Sequence, residues 1–186
     1  MFVSSSYDMF SKIWDTETGT CKQQLRAVSE VQYVVHFYLD GPNSMLVGQG
    51  NCHIVKWDMC ANQVVQEYNQ HQSAIKLLTL FNDNWQFMLN SDDKSMHMWE
   101  YRIPVVIKLV ANPVMHSVLA VALHLNDKWL AGQSMDNHIV MYSTGDRFKI
   151  HLHKEFHGHV MARFACQLVI SLDSCVVVSG DAEGSV

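Results

Sequence analysis

Short apolar segments alternate with turn-forming residues along the whole chain, and no stretch keeps a helical period. Segments of roughly four to eight residues rich in Val, Ile, Leu and Phe are bounded by Asp, Asn, Ser and Gly, which is typical of strands and tight turns. The longest and most apolar segments are expected to be buried on both faces. They cover Val31 to Tyr38, Ile75 to Phe81, Val118 to His124 and Phe164 to Ser171. The pattern predicts an all-β protein.

An aromatic residue recurs at a nearly constant spacing. Trp14, Trp57 and Trp99 stand 43 and 42 residues apart, and Tyr142 follows after a further 43. Six residues before each aromatic lies a turn residue, and these are Asp8, Asn51, Asp93 and Asp136. Four short strands per period of about 42 residues, with a Trp-Asp mark, indicate the blade of a β-propeller.

This period divides the chain into blades. Complete blades of four-stranded antiparallel sheet are predicted at 31–68, 75–109 and 118–153. Partial blades are predicted at 1–25 and 164–186. A chain of 186 residues therefore contains about four blades.

A polar network is predicted within each blade. The turn Asp is expected to accept backbone N–H groups, and a His that opens the blade is expected to bond that Asp. A Ser and the indole N–H of the Trp extend the chain of bonds, so that each half-buried polar group is satisfied. The third blade has the complete set, His71, Ser91, Asp93 and Trp99. Over the whole chain the network residues are Ser6, Asp8, Trp14, Trp57, His71, Ser91, Asp93, Trp99, His116, Ser134, Asp136, Tyr142 and His159.

The repeat resembles the WD-repeat (WD40) family over the entire chain. The segments that carry the resemblance are SYDMFSKIWDTETGTC, SDDKSMHMWEYRIPV, WLAGQSMDNHIVMY and SGDAEG. They are similar to a spliceosomal branch of the family that is associated with the second step of splicing. The resemblance implies a nuclear, non-catalytic scaffold that binds proteins, above all spliceosomal components, and needs no cofactor.

The chain is shorter than a complete propeller of the kind that the resemblance implies. Seven blades of about 42 residues need roughly 290 residues. The expected β-propeller is therefore an incomplete open arc, truncated at both ends, whose apolar flanks favour self-association or capture by a chaperone. An alternative to the scaffold is a truncated relative that is unstable and has no independent activity. Limited proteolysis separates the two, because a resistant core favours the scaffold.

Composition excludes several classes of protein. The hydrophobic fraction of 48% and the charged fraction of 17% suit a globular chain. A net charge of −5 argues against direct binding of nucleic acid through a basic surface. No apolar run reaches the roughly 18 residues that span a bilayer, and the first residues lack the features of a signal peptide. The five cysteines include no C-x-x-C pair, so reduced thiols in the nucleus or cytosol are expected, without membrane attachment or secretion.

Two kinds of candidate site are weaker than the structural interpretation. His151, His153, His157 and His159 form a histidine-rich segment of the type that binds zinc. His159, however, already has a place as the residue that opens a blade, so no metal site is assigned. Tyr7, Trp57, Tyr101 and Trp129 are candidates for stacking on RNA bases. Trp57 and Trp129, however, stand at core positions of their blades, and few Lys or Arg accompany the four residues.

The sequence contains no coherent set of catalytic residues. Asp92 and Asp93 are adjacent carboxylates, but the repeat explains them as a tight turn. Ser, His and Asp recur together with the period of the blades, as in the third and fourth, which a single active site would not do. The candidate binding surfaces are instead the turns at residues 91–94 and 133–137.

Overall fold

A computed structural model describes residues 1–26, 32–37, 43–81, 86–111, 116–144, 148–161 and 166–184. Every regular element in these residues is a β-strand, and they include no helix long and apolar enough to cross a membrane. The prediction of an all-β fold is confirmed. Val31, Tyr38 and Phe164, which the sequence predicts as strand residues, lie outside the described ranges.

Within the described ranges, consecutive strands form five sheets, each in simple chain order. The first sheet contains β1 (Phe2–Ser5), β2 (Phe10–Trp14) and β3 (Cys21–Arg26). The second contains β4 (Gln32–Phe37), β5 (Ser44–Gln49), β6 (Ile54–Asp58) and β7 (Gln63–Tyr68). The third contains β8 (Ile75–Phe81), β9 (Gln86–Ser91), β10 (Ser95–Glu100) and β11 (Ile103–Ala111).

The remaining strands form two further sheets. The fourth sheet contains β12 (Val118–Leu123), β13 (Trp129–Ser134), β14 (His138–Ser143) and β15 (Lys149–Phe156). The fifth contains β16 (Leu168–Ile170) and β17 (Val177–Ser179).

The chain divides into two compact units. The first unit is Met1–Asp93 with Met98–Ile107, and the second is Lys94–His97 with Lys108–Val186. In the first unit β4 packs against both β1 and β8. In the second unit β12 packs against β16. The strand that opens each of the second to fifth sheets therefore contacts a neighbouring sheet of its own unit.

Irregularities in strand pairing recur with the sequence period. The pairing of the first two strands of a sheet shifts register between Gln32 and Val34 in the second sheet, and between Ile75 and Leu77 in the third. The fourth sheet repeats the shift at Val118. A bulge increases local twist and bends its strand. Its return every 43 residues therefore means that the sheets share local geometry as well as sequence.

Each unit has an apolar core at the expected positions. In the first unit Tyr68 and Trp99 are fully buried and meet edge to face, with 5.3 Å between ring centroids. Phe87 completes this aromatic group, and the Tyr68 hydroxyl donates to the Tyr101 carbonyl at 2.6 Å. In the second unit a smaller buried cluster joins Ala131 and Ile139 of the fourth sheet to Leu168 of the fifth. Burial of large aromatic rings dominates core energetics, so this group of rings is expected to stabilise the packing of the second sheet against the third.

The residue after each turn Asp or Asn has a left-handed backbone. These residues are Met9 (φ 69°), Cys52 (φ 70°), Lys94 (φ 63°) and Asn137 (φ 67°). Glycine takes this conformation without steric cost, and Asn tolerates it better than other residues do. Met9, Cys52 and Lys94 are therefore held there by the surrounding hairpin.

Candidate functional site

The third repeat forms the predicted link between a His and the turn Asp. The Nδ1 atom of His71 lies 3.0 Å from Oδ2 of Asp93. The same carboxylate oxygen accepts the backbone N–H of Gln72 at 3.1 Å. Ser91 accepts the Asp93 N–H at 3.3 Å and donates its hydroxyl to the Ser73 carbonyl at 2.9 Å. These bonds tie the β9–β10 turn to the segment that precedes β8.

Burial controls the ionisation of His71. Removal from water lowers the pKa of the imidazole below its ordinary value of 6.5. The hydrogen bond and the negative charge of Asp93 raise that pKa but do not overcome burial. The neutral ring, with its Nδ1–H donating to Asp93, is therefore the favoured form at neutral pH.

The fourth repeat places its polar residues differently. Asp136 forms its ion pair with His138, with 3.2 Å between Oδ2 and Nδ1. Burial opposes ionisation of Asp136, but a hydrogen bond from Ser134 and the positive charges of His138 and His116 together lower its pKa. His116, the predicted opening histidine, is itself exposed. No role for His138 is predicted from the sequence, although its position two residues after Asp136 is a signal for such a pair.

The other repeats keep parts of the network. The Phe10 N–H donates to Asp8 at 3.1 Å, and the His53 N–H donates to Asn51 at 3.2 Å, so each side chain caps its turn. Ser6 accepts the Asp8 N–H at 3.4 Å.

His159 opens the last repeat and lies partly buried. Among the described residues its Nε2 atom has no hydrogen-bond partner. The role of the complete residue set as a stabilising network stays a prediction.

The aromatic position of the repeat changes from sheet to sheet. The Trp14 indole donates to Ser4 at 2.9 Å rather than to Ser6, and its ring stacks on Phe2. Trp57 packs against the core of the first two sheets, which agrees with its interpretation as a core residue. Burial and the charge of Asp136 raise the pKa of Tyr142, so Tyr142 stays a neutral phenol.

Gln133 is predicted from the sequence as part of the binding turn 133–137, but the structure makes it a buried polar core residue. It is fully buried in β13, and its amide Nε2 lies 2.9 Å from Ser179 Oγ and 2.9 Å from Met161 Sδ. The amide therefore joins the fourth and fifth sheets within the second unit. The only available signal was a polar residue in an otherwise apolar strand.

The residues considered for metal binding and catalysis have other contacts. His157 packs edge to face on His138 with 4.2 Å between ring centroids, and His151 packs on Trp129 at 4.7 Å. In the described parts of the chain, no group of three or more His, Cys, Asp and Glu is arranged to hold a metal ion. Asp92 pairs with Lys76 at 3.2 Å, whereas Asp93 bonds His71, so the two carboxylates of that turn have separate partners.

Comparison with known proteins finds relatives that are named as pre-mRNA-processing factors and as a WD repeat protein. No protein-family model matches the chain. Human Pre-mRNA-processing factor 17 is 42% identical over 185 residues, which is 98% of this chain and 32% of that protein. Pre-mRNA-processing factor 17 of Saccharomyces cerevisiae is 36% identical over 98% of this chain and 40% of its own length. Mouse WD repeat-containing protein 25 is 24% identical over 99% of this chain and 36% of its own length.

The predicted resemblance to WD-repeat proteins is confirmed by these relatives. The all-β architecture of successive antiparallel sheets agrees with that repeat type. The chain spans about a third of the length of the human relative.

Proposed function

We propose that this chain is a non-catalytic scaffold of WD-repeat type that binds spliceosomal proteins during pre-mRNA splicing. The strongest support is its 42% identity to human Pre-mRNA-processing factor 17 across 98% of the chain. The name of that relative states a role in pre-mRNA processing. A nuclear location and participation in the second step of splicing are the finer parts of the same proposal.

Exposed turns above a fixed network are suited to binding proteins. The side chain of Asp92 is 42% exposed beside Asp93, whose carboxylate is fixed by His71 and Gln72. In the fourth repeat Met135 is exposed next to Asp136. A turn that is already ordered loses little entropy when a partner binds, which favours affinity. The blade boundaries at 1–25, 31–68, 75–109, 118–153 and 164–186 are proposed as the repeat units of this scaffold.

A scaffold role also agrees with the use of the repeat's Ser, His and Asp. The Ser91 hydroxyl donates to the Ser73 carbonyl, and His71 bonds Asp93. A nucleophile needs its hydroxyl directed to a base and open to substrate. In the third repeat these groups hold a turn instead, which supports a function without catalysis.

Affinity purification from nuclear extract tests the proposal. The tagged chain is expected to recover spliceosomal proteins, identified by mass spectrometry. A variant with Asp93→Ala and Asp136→Ala loses turn structure in two repeats and is expected to recover far less. Glu17→Gln is the control, because it changes one exposed carboxylate outside both candidate turns and keeps the His71 pair. Equal recovery of the same proteins by the double variant would contradict the proposal.

A second candidate is a chain without independent activity that chaperones hold. The fifth sheet favours this interpretation, because its strand β16 exposes Val169 by 61% and the turn between β16 and β17 exposes Leu172 by 88%. Limited proteolysis of the purified chain distinguishes the candidates. Protection of both units favours the scaffold, and rapid loss of the whole chain favours the second candidate.

A further inference from the structure

The second unit contains a pocket that is lined by none of the network residues of the repeat. It has a volume of about 500 Å³ and is walled by β15 of the fourth sheet and the β16–β17 hairpin of the fifth. Trp129 and Met141 contribute from the fourth sheet, and Ile170 and Val177 contribute from the fifth. Ligand pockets in proteins have volumes of roughly 300 to 1,000 Å³, are mostly apolar, and carry a few directed polar groups.

A large bulge in β15 directs polar residues to this pocket. Val140 pairs with Glu155, but the next residue, Met141, pairs with His151, so residues 152–154 have no opposite partner in the strand pairing. His153 and Lys154 in this bulge line the pocket. Bulges re-aim side chains and are common beside functional sites. The extra residues in β15 therefore place His153 and Lys154 at the pocket, which the repeat pattern itself does not require.

The polar groups of the pocket suit a carboxylate. The ammonium of Lys154 lies 4.4 Å from the centre of the Trp129 ring, so a cation–π contact holds it at the pocket wall. Nδ1 of His124 accepts the Asn126 N–H at 3.2 Å, which leaves the ring proton of the neutral imidazole on Nε2 as a donor. The carboxylate of Glu155 already faces His157 at 3.8 Å. A ligand carboxylate would therefore find a cation and a hydrogen-bond donor beside aliphatic side chains.

We propose that this pocket binds an extended acidic peptide segment of a partner protein, with a carboxylate at Lys154 and an aliphatic side chain against Ile170 and Val177. This deepens the proposed scaffold function by naming the class of its partner segment. A nucleic acid suits the pocket less well, because its run of phosphates needs several cations and Lys154 is the one Lys or Arg among the pocket's described lining residues.

Binding of defined probes tests the charge and the apolar contact separately. The probe is a fluorescent, end-capped octapeptide of alternating glutamate and leucine, and its match replaces every glutamate with glutamine. Fluorescence anisotropy is expected to show at least tenfold weaker binding of the neutral peptide, and weaker binding of the acidic one at high salt. Lys154→Gln is expected to weaken binding of the acidic peptide about fivefold. Lys149→Gln, which removes an exposed charge from the same strand outside the pocket, should leave binding unchanged.

The exposed thiol of Cys175 locates the bound peptide. Cys175 lines the pocket, whereas the exposed thiols of Cys21 and Cys60 lie in the first unit. The acidic peptide is expected to slow alkylation of Cys175, followed by mass spectrometry, and to leave Cys21 and Cys60 unaffected. Thermal melting of both lysine variants ensures that a loss of binding is not a loss of folding.

Four outcomes would overturn the pocket assignment. The first two are equal affinity for the neutral and the acidic peptide, and equal loss of affinity in Lys154→Gln and Lys149→Gln. The third is tighter binding of an octanucleotide than of the acidic peptide. The fourth is protection of Cys175 at a higher concentration of the protein without any peptide. The last would identify a second copy of this chain as the occupant. If the pocket fails while spliceosomal proteins still co-purify with the chain, the scaffold function stands without it.

Discussion

The third and fourth repeats share an opening His and a turn Ser and Asp, yet they use these residues differently. In the third, the His71 side chain is fully buried and its partner Asp93 is 14% exposed. In the fourth, the corresponding Asp136 is 30% exposed and pairs with His138, which is 36% exposed. Buried polar groups cost free energy when a partner is lost, whereas exposed ion pairs contribute little.

The difference suggests that the two repeats are stabilised by different means. The third has a buried hydrogen-bonded pair beneath its turn and a Trp in the aromatic position. The fourth has a half-exposed ion pair and a close contact between β13 and Tyr142. A shared motif therefore does not guarantee a shared contribution to stability, and substitutions in equivalent positions should separate the two repeats.

The largest expected effect is that of His71→Ala. The substitution removes the ring that bonds Asp93 and leaves a partly buried carboxylate with one fewer donor, which costs about 2 to 4 kcal/mol of unfolding free energy. Hydrogen exchange of β8 and β9, measured by mass spectrometry, reports this locally. His116→Ala is the matched variant in the fourth repeat and should cost less than about 0.5 kcal/mol. Equal losses in the two repeats would remove the proposed difference.

The number of residues between the opening His and the turn Asp explains why one predicted pair forms and the other does not. His71 precedes Asp93 by 22 residues, and the predicted pair has hydrogen-bond geometry. His116 precedes Asp136 by only 20 residues, and the ion pair of Asp136 is with His138 instead. The repeat period and the residue types therefore predict the strands and the bond between His71 and Asp93, because period and residue type reflect strand pairing and burial. The bulge in β15 depends on how one strand fits its neighbour, which no periodic signal encodes.

Gly132→Ala should have the next largest effect and act only on the fourth repeat. A Cβ atom at this position would lie 3.0 Å from Cε2 of Tyr142 and 3.1 Å from Cγ1 of Val118. Overpacking of this kind costs about 1 to 3 kcal/mol. Hydrogen exchange of β13 and β14 measures the loss. Gly180→Ala in the same unit is the control, because its nearest neighbour would be Cys166 Cβ at 4.0 Å, and unchanged exchange is expected there. An equal loss in Gly180→Ala would contradict the packing explanation.

The buried histidine also predicts a pH dependence for the first unit. Burial lowers the pKa of His71 below 6.5 in the folded chain, so the unfolded chain binds the proton first as pH falls. The unfolding free energy is therefore highest above pH 6.5 and decreases below it, by at most about 1.4 kcal/mol per pH unit for one proton.

Urea denaturation of the wild type and of His71→Gln between pH 5 and 7.5 measures this dependence. The Gln side chain can still donate to Asp93 but does not titrate in that range. Its unfolding free energy should therefore fall less steeply with decreasing pH than that of the wild type. A variant as steep as the wild type would assign the slope to other groups.

The smallest expected effect concerns the residue after the turn Asp, and here the fourth repeat should be the less tolerant one. Lys94 has φ 63°, and Lys94→Gly removes a side chain from a conformation that only glycine takes freely, which should raise the unfolding free energy by about 0.5 to 1 kcal/mol. Asn137 has φ 67°, but its Oδ1 accepts the Met161 N–H at 2.7 Å. Asn137→Gly loses that bond, at a net cost of about 1 kcal/mol, which offsets the relief of the backbone. Thermal melting of the two variants should therefore show a gain for Lys94→Gly and no gain for Asn137→Gly. Equal gains would mean that backbone strain alone governs both turns, and the bond between Asn137 and Met161 would then contribute nothing measurable.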